Sequence, residues 1–217
     1  EVRQIRRRDH PLAGGHRRGR GAGAARAQLA RVRRERGGTQ RVISADEVGH
    51  EAYAPNSESW CEVVDTFGKE ILQPSGEIDR QKLGAIVFSD PQQLEKLNAI
   101  MHPRMARMVA DRIQVLRDQG ASTVVVEAAL LFEAGWDSLV DEVWTTDSSV
   151  ESVVERLQAR NGMDEKEARR RIDSQMDPAE RIERSDLVVD NSSDVSALEQ
   201  TVMALWENRV SVRTERG

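Results

Sequence analysis

The sequence predicts an α/β protein: a parallel sheet flanked by helices, with an inserted helical lobe. Three observations carry the prediction. Short β-branched runs at residues 41–44, 123–126, 142–146 and 187–190 alternate with segments of helical period, the signature of a parallel sheet with right-handed crossovers. Acids stand at or just beyond three of those runs, Asp46, Glu127 and Asp190, where ligands sit in open α/β sheets. Finally, residues 57–115 read as helices throughout. That block is too long for one crossover, so it forms a lobe of its own.

The elements follow in order. Residues 41–44 form a short strand that leads through Ala45-Asp46-Glu47 into a helix to about Ala52, so Asp46 marks a strand-to-helix junction. Asp there either caps the helix or points a carboxylate into the cleft. A helix at 59–67 precedes the turn Gln73-Pro74-Ser75-Gly76. Asp79 then caps a helix carrying Leu83, Ile86, Val87 and Phe88. Asp90-Pro91-Gln92-Gln93 is a compact helix start, with a cap, a proline at the first position and Gln at the capping-box site. That helix is expected to end near Met101, with Pro103 opening another that carries Met105, Met108, Val109, Ile113 and Leu116. Thr123-Val124-Val125-Val126 is a buried strand ending at Glu127, followed by the apolar turn Leu130-Leu131-Phe132-Glu133. Ser148-Ser149-Val150-Glu151 opens a helix to about Asn161, and Asp164 and Asp177 begin two more. A last strand reaches Asp190-Asn191, a helix closes the domain over 193–207, and the tail from Ser211 is expected to fray.

Composition sets bounds. Of 217 residues, 38% are hydrophobic and only 4% aromatic, which favours a helix-rich domain over an all-β one. No apolar run approaches the roughly 18 residues needed to cross a bilayer, and the arginine-rich start has no apolar segment after it. The single cysteine, Cys61, excludes an internal disulfide and fits a reducing cytoplasm. The net charge of −5 hides an asymmetry. Residues 1–41 hold thirteen Arg, no Lys and three acids, a charge of +10, which leaves −15 for the rest. Low-complexity Arg/Gly/Ala composition supplies little core, so 1–41 is expected to be disordered, although 24–36 has good helix formers. A basic arm of this kind suits phosphates, including those of nucleic acid. The sharp change in composition favours a wrong-frame or decayed segment joined to a body that resumes at about Val42.

Guanidiniums face the strand-end acids in sequence. Arg156 and Arg160, four apart, share a helix face, and Arg169-Arg170-Arg171 follows. A carboxylate that orients a hydroxyl, with arginines that neutralise charge on a transferred group, is what phosphoryl transfer needs. A salt-bridged solvated surface uses the same residues.

The segments SADEVGHEAY, GEIDRQKLGAIVF, IMHPRM, VVVEAALLFEAGW, ERLQARNG, ARRRIDSQM and VVDNSSD occur in the order and spacing of dephospho-CoA kinase, and from Val42 to about Met203 the chain resembles that family. The resemblance implies a fold similar to nucleoside-monophosphate kinases and transfer of the ATP γ-phosphoryl to the 3′-hydroxyl of dephospho-CoA. ATP and Mg²⁺ are then required, dephospho-CoA is the partner, no nucleic acid or membrane is implied, and the location is cytoplasmic. It places Asp46 as base and Arg156 beside it in catalysis, with Arg160, Arg171 and Asn191 toward the nucleotide. His102, Leu131, Phe132 and Glu133 fall on the dephospho-CoA side. The lid is expected over about 160–180 within a domain spanning 42–210.

One family feature is missing. The expected phosphate-binding loop ends in Gly-Lys followed by Ser or Thr, and cradles phosphates and Mg²⁺. Here the only Gly-Lys pair is Gly68-Lys69, followed by Glu70, and no lysine precedes it. A catalytically inactive CoA- or nucleotide-binding relative is the alternative this departure raises. With the first strand and its loop absent, a weakly stable body is expected.

Overall fold

The structure, a computed structural model, describes residues 2–5, 40–173 and 175–211. Five parallel strands form one sheet in the order β2-β3-β1-β4-β5: β1 Val2–Ile5, β2 Gln40–Ser44, β3 Thr123–Glu127, β4 Glu142–Asp147 and β5 Leu187–Asp190. The chain runs from the central β1 outward to the β2 edge and back to β3. It then crosses β1 to β4. The direction of winding therefore changes at β1, and the crevice beyond its carboxyl end is the natural ligand site.

The expectation that residues 1–41 are disordered and that the first strand is lost is corrected at both ends of the segment. Val2–Ile5 pairs with β3 on one side and β4 on the other, with Gln4 in register with Val126 and Val143, and β2 starts at Gln40. The ladder is made by backbone groups that every residue but proline carries, and β-branched Val2 and Ile5 suit a strand. The possible helix at 24–36 lies outside the described residues.

Strand β3 holds the layers together. Val124 and Val126 pack with Ile43, Val109, Ile113 and Leu131, whereas Val125 packs with Trp144, Val189 and Trp206. Successive strand side chains point to opposite faces, so this unbroken valine run is the mark of a strand covered on both sides. On the second face, Trp206 of α8 (Val195–Trp206) meets Trp144 edge-on, with ring centroids 6.3 Å apart.

The helical lobe comprises α2 (Glu58–Phe67), α3 (Arg80–Ser89) and the first half of α4 (Pro91–Asp118), around Val63, Phe67, Ile71, Leu83, Leu97 and Met101. The predicted break at Pro103 is corrected: α4 is a single helix of 28 residues with Pro103 inside it. Proline gives up one i→i−4 bond. Leu97 and Met101 before it are buried in the lobe, and Val109 and Ile113 after it are buried against the sheet. Two cores thus pin one helix of about 42 Å from both ends. Caps lie where the sequence puts them. Asp79 Oδ1 accepts from the Gln81 and Lys82 amides and Asp90 Oδ1 from Gln92, and Pro91 opens α4. The lid helix α6 (Glu165–Asp173) follows α5 (Val150–Asn161) and buries Ala168 against Val153, Val154 and Leu157.

Candidate active site

The carboxyl ends of the strands bring two groups of residues to the crevice, one on each side of β1. On the first side, Ser44 ends β2 in register with Glu127 at the end of β3. Ser44 is the N-cap residue of α1 (Ala45–Ala52), its side chain making no cap hydrogen bond, and Asp46 follows in the first turn with its side chain exposed. An anionic group there also meets the positive end of the helix dipole.

His50, one turn along α1, holds the Asp46 backbone. Its Nδ1 lies 2.7 Å from the Asp46 carbonyl, and its Nε2 lies 2.8 Å from Arg80 Nη1 at the start of α3. The Arg80 guanidinium sits over the Tyr53 ring, 5.2 Å from its centroid. Burial pushes the Tyr53 phenol up to about 12, although the Arg80 charge opposes this, so the ring under the guanidinium is neutral. Burial also lowers Arg80 from its ordinary value, with Tyr53 opposing. Sequence reasoning did not single out His50, Tyr53 or Arg80, which these contacts join to the first turn of α1. Only Asp79, read as a helix cap, drew notice at 79–80.

On the other side of β1, Asp147 and Asp190 end β4 and β5 in register. The Asn191 amide donates to the Asp147 carbonyl at 2.7 Å. The Asn191 carbonyl accepts from Arg156 Nη2 at 2.7 Å and from Ser148 Oγ at 2.8 Å, and Arg156 Nη1 lies 3.3 Å from the same hydroxyl. Arg156 and Asn191 are thus brought together, with the half-buried guanidinium bonded to the loop that follows β5. Asp190 is exposed. The Ser192 hydroxyl and amide hold its carboxyl below the usual range, which makes it the anchor of a local turn. The side chains of Arg160 and Arg171 lie outside the described residues.

The turn after β3 builds the wall toward the lobe. Gly135 adopts φ 67, ψ 25, the left-handed region that spares glycine the Cβ clash, and the Trp136 amide closes back on the Leu131 carbonyl at 2.9 Å. This geometry sends Leu131 (0% exposed) and Phe132 (5%) into the core beside Val109 and Trp136. They shape the wall from behind. Phe132 carries Arg184 on its ring face, 4.4 Å from the centroid. Glu133 is exposed, and its Oε1 accepts from the Met176 amide at 3.3 Å, joining the turn to the segment after the lid helix. His102 is half-buried, edge-on to Trp136, whose Nε1 donates to the His102 carbonyl at 3.3 Å. Burial holds the His102 imidazole below its ordinary value, with the Glu133 charge opposing.

The strand ends carry an exposed carboxylate, Asp46, on one side of β1 and an arginine-bonded loop on the other. Among the described residues, no group of three or more His, Cys, Asp or Glu is placed to hold a metal, and no helix is long and apolar enough to cross a membrane.

Comparison with known proteins agrees. The family model described as dephospho-CoA kinase matches residues 19–197, starting inside the arginine-rich segment. The dephospho-CoA kinase of Carboxydothermus hydrogenoformans is 36% identical over 187 residues, 86% of this chain and 90% of that one. That of Streptomyces avermitilis is 37% identical over 192 residues, 88% and 91% respectively. In fold, the chain is similar to TT1252 from Thermus thermophilus (TM-score 0.70, 24% identity, 96% and 97% covered) and to the dephospho-CoA kinase from Campylobacter jejuni (TM-score 0.66, 20% identity, 98% of each chain).

Proposed function

The chain belongs to the dephospho-CoA kinase family, and we propose from that premise how its own residues act. The reaction is transfer of the ATP γ-phosphoryl group to the 3′-hydroxyl of dephospho-CoA, the final step of coenzyme A biosynthesis, in the cytoplasm. The observation that carries the reading is the exposed Asp46 in the first turn of α1, beside the end of β3 and across β1 from the Arg156–Asn191 loop.

Asp46 accepts a hydrogen bond from the 3′-hydroxyl and takes its proton as the new oxygen–phosphorus bond forms. The bond from the γ-phosphorus to the bridging oxygen breaks, and ADP leaves. Such a transition state is loose and demands positioning and charge neutralisation more than covalent help. Arg160 and Arg171 are proposed to neutralise the transferred group from the lid side. Arg156 fixes the Asn191 loop against which the nucleotide lies. His102 and Glu133 line the dephospho-CoA side, backed by the buried Leu131 and Phe132. Mg²⁺ is proposed to arrive with ATP, since this ion is bound by one or two carboxylates plus nucleotide phosphates. The described residues build no metal cage of their own, and no step is derived through the metal.

The sequence has no Gly-Lys-Ser/Thr loop to cradle the phosphates. ³¹P NMR of a mixture of the chain with ATP, Mg²⁺ and dephospho-CoA tests the assignment. The reading expects a new phosphomonoester resonance, that of the 3′-phosphate, growing with ADP. A mixture in which dephospho-CoA binds and no monoester grows supports the inactive relative instead.

A further inference from the structure

The contact between α1 and the helical lobe contains a residue set whose chemistry is fixed by its partners. A guanidinium has only donors and a backbone carbonyl only accepts. His50 meets one of each: Arg80 Nη1 at 2.8 Å from Nε2, and the Asp46 carbonyl at 2.7 Å from Nδ1. The ring must therefore offer a lone pair at Nε2 and carry its proton on Nδ1. That is the less common tautomer, since an imidazole in water favours the proton on Nε2. The bond partner of one ring nitrogen sets the state of the other.

Arg80 is itself held. It lies at the first position of α3, whose cap Asp79 binds the amides of Gln81 and Lys82, and its guanidinium rests on the neutral Tyr53 ring. The far end of α1 is tied separately, by Arg112 of α4 to Glu51. The two ties differ in what they touch. The Arg112 bond reaches a side chain one turn beyond the site, whereas the Arg80 bond passes through His50 to the backbone of Asp46.

We propose that Arg80 is a positioning residue for phosphoryl transfer: acting through His50, it fixes the first turn of α1 and so aims the Asp46 carboxylate. The proposal rests on the reading of Asp46 as base. It makes the helical lobe more than a cover for dephospho-CoA. The lobe sets the base from behind, so a lobe displaced from α1 leaves Asp46 misaimed.

The test uses the full chain labelled with ¹⁵N and ¹³C. Long-range ¹H–¹⁵N spectra are expected to show His50 with a pyrrole-type Nδ1 and a pyridine-type Nε2. In Arg80→Ala the ring reverts to the Nε2–H form, and the Asp46 carbonyl carbon resonance moves. Arg80→Lys, which still presents a cationic N–H, restores both. In turnover, Arg80→Ala lowers kcat for dephospho-CoA about tenfold, the scale of a small misplacement of a catalytic group, with the KM for ATP unchanged. His50→Gln, which can donate to Asp46 and accept from Arg80, keeps most of the rate, whereas His50→Leu loses it. An Nε2–H ring in the parent chain overturns the assignment. So does an unmoved Asp46 carbonyl in Arg80→Ala, or full kcat in His50→Leu. Failure of the underlying reading has a different signature: Asp46→Asn turns over like the parent while the His50 spectra still respond to Arg80. The spectral arms need no turnover and decide the positioning claim by themselves.

Discussion

Replacing Arg156 by Ala separates two jobs one arginine can do in a kinase. The side chain makes two hydrogen bonds, to the Asn191 carbonyl and to Ser148 Oγ, and it is half-buried. A bond from a charged donor contributes about 1.5–3 kcal/mol when well buried. Partial exposure puts the Asn191 bond at the lower end of that range, and the 3.3 Å contact adds little. The Asn191 carbonyl keeps its Ser148 partner and the Asn191 amide keeps Asp147, so the loop is loosened and no buried acceptor is orphaned. The expected loss is about 2 kcal/mol of stability, with a milder loss for Arg156→Lys, which keeps one donor. Urea unfolding measures this as a lower midpoint at unchanged slope. Since Ser148 shares the acceptor, the double mutant with Ser148→Ala should be non-additive by at least about 0.5 kcal/mol. Stability within about 0.5 kcal/mol of the parent, combined with lost turnover, would refute the reasoning: Arg156 would then act on the phosphoryl group, and its bonds to the loop would be incidental.

Other outcomes follow from the same structure. Leu131→Ala should cost about 3 kcal/mol, because Leu131 is fully buried between β3 and α4; calorimetric melting checks it, and a loss under about 1 kcal/mol would mean the turn is not packed as described. Since His102 is held below its ordinary value, the unfolded chain binds its proton first as pH falls. Stability should then decline from about pH 6.5 down to the folded value and be at its full level above that window. His102→Gln should flatten this part of the curve in urea titrations at stepped pH. Reading the gene in its two other frames upstream of Val42 should reveal a Gly-Lys-Ser/Thr loop, and its absence from both frames would dismiss the frame-change origin of the arginine-rich segment.

Much of the fold was legible because its signals are local. The valine run of β3 and the caps Asp79, Asp90 and Asp177 sit at the ends of their elements, as their chemistry demands. Strand β1 was not legible. A central parallel strand normally reads as an apolar run, and Arg3 and Gln4 interrupt this one. Pro103 misled for a related reason. Its local preference is to end a helix, and burial on both sides of it outweighs one lost hydrogen bond. At the site, the position of Asp46 at a strand end was readable, but which residue stands at the N-cap was not, since Ser44 and Asp46 compete for that place in the sequence. The Arg80–His50–Asp46 chain spans 34 residues and unites a lobe with the sheet, so no spacing rule exposes it. Arg156 and Asn191 were both singled out. That they bond each other follows only from the register of β4 and β5.

The most direct test of the account is ADP formation by this chain with ATP, Mg²⁺ and dephospho-CoA, alongside Asp46→Asn. The account predicts turnover that depends on dephospho-CoA and falls at least about a hundredfold in the variant, the scale expected for a general base. Turnover that the variant retains would contradict it.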